Sequence, residues 1–438
     1  MKVCVLGLWH LGSVTAAGLA ELGHDVVGFD FDESRVAQLS TGVAPVHEPG
    51  LADLIERGLA SDKLRFSSSL QHAVRDAEVL WIAYDTPVDG QGNADLDFVG
   101  SQIVRAVLET DTDALVLVSS QFPVGSVRRL ERAAALYPAP RQLRVAYSPE
   151  NLRLGSAVND FLHPQRIVVG VRSSRDKKVL SGLLGSITES IEWMSVESAE
   201  MTKHAINGFL ATSIAFANEI ASICESVGAD AKEVERGLKG DSRIGARAYL
   251  APGGPFAGGT LARDLVYLNR TAGEYGVTTP LLSSVLASND SHKSWVKHKL
   301  RTLFDQVSPV TVTVWGLAYK PGTDTLRGSG AVELCEWLIS QGASIHVHDP
   351  LVKELPPHWR GAVERFDHPL AALRGAQALV VAADSPVYRA VSAQQLRGGT
   401  DRLVVLDADR VLHAVQGGNS DNLDYFAVGM PARSTWQP

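Results

Sequence analysis

Apolar positions along roughly the first 170 residues come in short runs separated by segments of helical period. Lys2–Leu6, Asp25–Phe29, Val79–Ala83, Leu115–Ser119, Arg144–Ala146 and Arg166–Val171 read as strands. Ser13–Leu22, Ser34–Leu39 and Asp97–Leu108 carry apolar residues three and four apart and read as helices. Alternation of this kind predicts a parallel sheet covered on both faces. The pattern restarts near Val310, with strand-like Val310–Trp315, Ser344–His348, Ala378–Ala382 and Leu403–Asp407 and a helical Ala331–Ser340. From Ser198 to about Leu303 helical period dominates, in Ala199–Val227, Ala231–Lys239 and Thr279–Gln306. The expected fold is α/β, with doubly wound parallel-sheet domains at 1–197 and 306–438 joined by a helical central domain at 198–305. Pro431–Pro438 reads as a loose tail.

Composition narrows the class without changing this picture. A chain of 438 residues fits about three domains. With 45% apolar and 21% charged residues it is neither disordered, collagenous nor a coiled-coil rod. Its longest apolar runs, such as Ala114–Val118, fall far short of the roughly 20 residues of a membrane span. The net charge of −8, without a basic run, argues against a nucleic-acid surface. Three cysteines and no CxxC pair give no disulfide framework. Met1–Gly7 leads straight into a strand pattern with no signal peptide, so the expectation is a reduced, cytoplasmic protein.

The first strand is followed by Gly7-Leu8-Trp9-His10-Leu11-Gly12 and then a helix. This is the position of a GxGxxG turn, where helix N–H groups hold a pyrophosphate. Trp9 replaces the middle glycine, so its side chain must point away or the cofactor must sit differently. Asp30, closing Val26–Asp30, suits the ribose hydroxyls and repels a 2′-phosphate, which favours NAD over NADP. A plain strand–helix turn with a surface Asp is the alternative. The sheet domains are accordingly expected to be Rossmann-like.

Several ordered segments together resemble the nucleotide-sugar 6-dehydrogenases of the UDP-glucose/GDP-mannose dehydrogenase family, over nearly the whole chain. They are Asp85-Thr86-Pro87, Phe122-Pro123-Val124-Gly125, Ser148–Arg153, Arg166–Gly170, Ala199–Asn207, Asn218-Glu219-Ile220, Asp241–Gly245, Trp315–Pro321 and Thr323–Arg327. The resemblance implies an NAD-dependent enzyme. It places cofactor contacts on Gly7, Trp9, His10, Leu11, Gly12, Asp30, Arg35, Thr86, Gln121 and Arg327. Substrate contacts are implied on Glu150, Asn151, Leu152, Arg153, Lys203, Asn207, Arg243, Tyr249, Gly253, Gly254, Phe256, Gly258, Lys320 and Arg410. No metal is expected. The helix Ala199–Val227 resembles the family's dimer core and implies a homodimer.

Such enzymes oxidise a primary alcohol twice, through a cysteine thioester in a loop resembling GGSCFPKD. Here the loop reads Gly258-Gly259-Thr260-Leu261-Ala262-Arg263-Asp264, with Thr260 where the cysteine belongs. A hydroxyl needs a strong adjacent base to act as a nucleophile, and the motif supplies none for Thr260. Leu154 and Gln121 also replace family residues associated with the nucleophile and the hydrolytic water. The first half of the reaction is retained. Lys203 and Asn207, four apart on one helix face, can stabilise a developing alkoxide. Asp264 could take the alcohol proton through a water, orient Lys203, or cap a helix at Leu265–Leu268. Glu150 would sit beside the reacting carbon, and Thr260 could fill space or bond the substrate.

Three functions follow. The first is one two-electron oxidation to an aldehyde, or to a ketone from a secondary alcohol of an extended-chain sugar such as antibiotic pathways use. The second is four-electron oxidation to a uronic acid through the aldehyde hydrate. The third is an inactive nucleotide-sugar-binding homologue.

Overall fold

The computed structural model describes all residues except 85–95, 135–142, 151, 258, 320–321, 399–401, 413–414, 416–421 and 432–438. Two compact units make up the chain, Met1–Ala205 and Ile206–Pro438.

The first unit is built on an eight-stranded sheet. Its strands are β1 (Lys2–Leu6), β2 (Asp25–Phe29), β3 (Leu64–Ser67), β4 (Val79–Ile82), β5 (Leu115–Val118), β6 (Val145–Tyr147), β7 (Ile167–Gly170) and β8 (Ile191–Met194). Their spatial order is β3-β2-β1-β4-β5-β6-β7-β8. All pairings are parallel except β6 with β7. Val3 to Leu6, β4 and β5 are buried throughout, as strands covered on both faces must be. The helix His10–Glu21 buries every residue from Leu11 to Ala20. Its small residues allow that: a Cβ on Gly18 would lie 2.4 Å from the Phe161 ring.

The second unit holds a six-stranded, wholly parallel sheet: β9 (Thr311–Trp315), β10 (Ser344–His348), β11 (Val363–Arg365), β12 (Ala378–Val381), β13 (Leu403–Asp407) and β14 (Leu423–Phe426). Its order, β11-β10-β9-β12-β13-β14, repeats the order of the first six strands of the other sheet. That is the 3-2-1-4-5-6 winding of a dinucleotide-binding sheet. The same unit contains helices Ala231–Gly240, Thr260–Glu274, Pro280–Lys293 and Trp295–Leu303. Thr279–Gln306, expected as one helix, is therefore two, broken at Ser294. The 32-residue helix Val196–Val227 begins in the first unit and continues in the second.

Candidate functional site

Gly7 and Gly12 make the turn after β1 possible. Gly7 has φ +92° and an added Cβ would lie 2.6 Å from the Tyr84 ring. A Cβ on Gly12 would lie 1.6 Å from the Gly7 carbonyl oxygen, so only glycine lets the helix come this close. Trp9 takes an ordinary extended backbone, φ −76° and ψ −151°, and caps the helix without a side-chain hydrogen bond. Its ring is 43% exposed, with the Arg35 guanidinium 5.2 Å from the ring centre. Asp30 is buried at the end of β2. Its Oδ2 accepts the Leu8 N–H at 2.8 Å and pairs with Arg35 at 2.8 Å, and its Oδ1 accepts the Asp32 N–H at 3.0 Å.

These groups line a cavity of about 450 Å³ with Phe31, Tyr84 and Phe98. The Tyr84 hydroxyl is buried there without a hydrogen-bond partner among the described residues. A tight glycine turn, a buried acid, aromatic walls and a hydroxyl left without a protein partner fit an adenine dinucleotide. Leu11, Thr15, Trp81, Ser119, Ser148 and Glu150 line a smaller cavity of about 90 Å³.

Lys203 lies in the first part of the long helix and donates from Nζ to the Glu150 carbonyl at 2.7 Å. The Glu150 carboxylate accepts the Leu152 N–H at 2.8 Å, and Arg153 pairs with Asp160 at 2.7 Å. Two residues the sequence reading passed over hold the neighbouring loop. Glu200 is fully buried and accepts the N–H groups of Gly125 and Val127 at 2.6 and 2.9 Å. Burial pushes its carboxyl up, and those two donors only partly offset it. His204 Nε2 donates to the Phe122 carbonyl at 2.7 Å. Glu200, Lys203, His204 and Asn207 are spaced three, one and three apart, a polar stripe of helical period that could have flagged them.

In the second unit Asn207 donates from Nδ2 to Asp264, which is fully buried. The helix containing Asp264 spans Thr260–Glu274 with Gly259 as its N-cap. Asp264 is therefore not an N-cap before Leu265–Leu268. It sits a turn inside the helix, because the helix starts at the first residue after the glycine pair. Thr260 occupies the first helical position and is exposed.

Gly253, Gly254 and Phe256 are clamped by side chains rather than left loose. Their N–H groups donate to Asn218, Asp409 and Asn289 at 3.0, 2.7 and 2.9 Å. A Cβ on Gly253 would lie 2.2 Å from Asp409. Gly254 and Phe256 border a cavity of about 180 Å³ shared with Lys293, Lys297, Tyr319 and Asp409.

Arg243 is exposed and pairs with Asp241 at 2.7 Å, and Tyr249 is 59% exposed. Arg327 is exposed, and Gln121 is half-buried. Arg410 pairs with Asp230 at 3.0 Å, tying the end of β13 to the N-cap of helix Ala231–Gly240. Thr86, Asn151, Gly258 and Lys320 lie outside the described residues. Among the described residues no cluster of three metal-ligating side chains occurs and no helix is long and apolar enough to cross a membrane.

Family comparisons cover the chain in three pieces. The NAD binding domain of the UDP-glucose/GDP-mannose dehydrogenase family matches residues 1–187, its central domain residues 197–291 and its UDP binding domain residues 313–414. A UDP-glucose 6-dehydrogenase of Pseudomonas aeruginosa is 34% identical, with 98% of each chain covered. The UDP-glucose 6-dehydrogenase TuaD of Bacillus subtilis is 31% identical over 100% of this chain and 95% of its own. A solved UDP-glucose dehydrogenase of Pyrobaculum islandicum superposes with a TM-score of 0.86 at 30% identity, covering 98% of both chains. With the turn, the two sheets and the Lys203–Asn207 helix in place, these matches make the chain a member of the UDP-glucose/GDP-mannose dehydrogenase family, an NAD-dependent enzyme acting on CH–OH groups.

Proposed function

We propose that this enzyme removes one hydride and one proton from a carbinol of a nucleotide-activated sugar and releases the aldehyde, or the ketone when the alcohol is secondary. The observation that carries the reading is Thr260, with no sulfur, at the start of the helix that bears Asp264. The chain has three cysteines, and all are buried elsewhere. Cys4 lies in β1, where burial drives its thiol far up. Cys335 lies in helix Gly330–Ser340, where burial pushes it up to about 12. Cys224 packs among Ala221, Ala231 and Val428. Cys4 and Cys335, held protonated this way, are poor nucleophiles.

NAD, which the Gly7–Gly12 turn and Asp30 would hold, would supply the hydride acceptor; the remaining work falls to side chains. Lys203 and Asn207, one turn apart on the same helix, stabilise the alkoxide as the C–H bond breaks. Asp264 fixes the Asn207 amide, and the alcohol proton leaves through a water. Without a thioester, nothing retains the carbonyl product for a second oxidation.

Because the relatives named above are UDP-glucose dehydrogenases, UDP-hexoses head the substrate panel, followed by GDP- and dTDP-sugars. One NADH per sugar, with a product two hydrogens lighter, is expected. Two NADH and a product carrying an added oxygen would establish acid formation through the hydrate. Lys203→Met is expected to lower kcat at least about 100-fold, on the scale of losing one donor to a developing oxyanion.

The enzyme acts as a homodimer in this reading. Phe209, Phe216 and Ile223 recur every seven residues along the long helix, followed by Val227, and are 70%, 47%, 57% and 71% exposed. An apolar heptad stripe is the pattern of a helix–helix seam. Sedimentation giving a monomer at micromolar concentration would refute it.

A further inference from the structure

Glu48 is fully buried at its side chain, yet it belongs to no motif considered so far. It lies in His47-Glu48-Pro49-Gly50, just before helix Leu51–Ala60. Three donors converge on it. His10 Nε2 and the Gly155 N–H lie 2.9 Å from Oε2, and the Ala157 N–H lies 2.9 Å from Oε1. A carboxylate can only accept, so the His10 ring carries its proton on Nε2. Among the described residues Glu48 is the side-chain partner of His10, whose side chain is 17% exposed.

The two sides of this junction are chemically distinct. His10 is the first residue of the helix that follows the glycine turn. Gly155 and Ala157 end the segment that begins at Glu150, whose carbonyl receives Lys203. Gly155 has φ +91°, a conformation that favours glycine and leaves its N–H aimed at Glu48. Arg153 and Ser156 both bond Asp160, so the segment is pinned at its middle as well. Charged hydrogen bonds run from the dinucleotide turn, through one carboxylate, into the segment against which Lys203 is braced.

We propose that Glu48 is a positioning residue that, through His10, couples the cofactor turn to the Glu150–Ala157 segment, so that NAD binding and productive placement of the sugar depend on each other. The proposal rests on the assignment of Lys203 and Glu150 to the reacting end. The coupling is directional in its consequences: disturbing His10 must be felt both in NAD affinity and in turnover of the sugar, although His10 touches neither Lys203 nor Glu150.

The test measures the NAD dissociation constant by intrinsic fluorescence, with and without UDP-glucose, alongside kcat, KM and thermal midpoint. His10→Phe removes the donor from a partly exposed site. It is expected to weaken NAD binding about tenfold, the scale of one charge-assisted hydrogen bond, and to lower kcat about tenfold, with the midpoint nearly unchanged. His10→Gln, which keeps a donor, should restore most of both. In the Glu48→Gln background, His10→Phe should add nothing further. Effects of the two substitutions that multiply, or a His10→Phe enzyme with wild-type NAD affinity and kcat, would overturn the coupling. Failure of the catalytic assignment looks different: Lys203→Met would then retain full kcat whatever His10 does.

Discussion

Asp30 and Asp349 occupy the same point of two sheets with the same winding, one residue past the ends of β2 and β10. Their surroundings start out alike. Gly7 and Gly316 both have φ +92°, and the Gly7 and Gly316 N–H groups donate to the last residues of β2 and β10. Ser13 and Ser329 donate to the carbonyls of Leu8 and Leu317 at 2.8 and 2.7 Å. The two carboxylates then diverge. Asp349 receives four backbone N–H groups, from Leu317, Ala318, Leu351 and Val352, at 2.7 to 3.2 Å. Asp30 receives two, and completes its set with Arg35 at the edge of an aromatic cavity. An acid at the end of the second strand is thus available to a ligand only where the backbone leaves it an open lone pair. In the second sheet it clasps the turn, and the neighbouring cavity is lined by other charged groups, Lys293, Lys297 and Asp409.

The turns differ in length as well. Ser13 follows Gly7 by six positions, whereas Ser329 follows Gly316 by thirteen. The short turn forces helix and strand together at Gly12, and the long one leaves Gly328 with nothing within 4 Å of an added Cβ. Gly12→Ala should therefore have the largest effect of any single change here. Its methyl overlaps the Gly7 carbonyl, the backbone must shift, and NAD binding is expected to fall below detection in calorimetry. Gly328→Ala, at φ +74° in open space, should cost only about 1–2 kcal/mol of stability, the ordinary penalty of a left-handed L-residue. Equal damage from both would erase the contrast between the turns.

Asp349→Asn comes next. Asparagine keeps one accepting oxygen and turns an amide toward two N–H donors, so about 2–4 kcal/mol of stability should be lost at neutral pH. Burial alone would raise the Asp349 carboxyl, but its four backbone donors outweigh that and hold it below its ordinary value of 3.8. A depressed aspartate contributes stability above its unfolded value and loses it as the pH falls toward the folded one. The parent chain should thus weaken below about pH 4 through this group, and Asp349→Asn should show a shallower decline there in urea midpoints. Asp30→Asn is expected to do less to stability and more to binding, weakening NAD about tenfold while the urea midpoint shifts little. If the two substitutions traded effects, the division of roles between the aspartates would fail.

How much of this was legible in the sequence follows from burial. All strands at the centres of both sheets stood out as apolar runs to within a residue or two. The strands that went unread, β3, β8, β11 and β14, are the sheet edges. Their residues are largely half-buried, so the apolar run thins out and the pattern loses contrast. Helix Thr260–Glu274 was hidden because its first turn reads as a continuation of the Gly-rich segment, which moved Asp264 from a cap to the helix interior. Asn207, Lys203 and Asp30 were named from motif and period. Glu48 was not named, because two of its three partners are backbone groups more than 100 residues away, which no local pattern encodes.

The smallest expected effect is also the sharpest probe of the first turn. Trp9 stands where a glycine would let the backbone approach a pyrophosphate, yet its φ and ψ are ordinary for any residue and its ring faces outward over Arg35. Trp9→Gly therefore gains no backbone geometry the turn lacks. It loses the guanidinium–indole contact, worth about 0.5–1 kcal/mol at an exposed site, and makes the chain costlier to order. NAD binding should weaken two- to fivefold by these terms, read by calorimetry, with kcat unchanged. A tenfold tightening instead would mean that the indole obstructs the phosphates. The tight turn of the first sheet would then be the compromised one of the pair, and Asp30, not the glycine turn, would carry the cofactor's affinity.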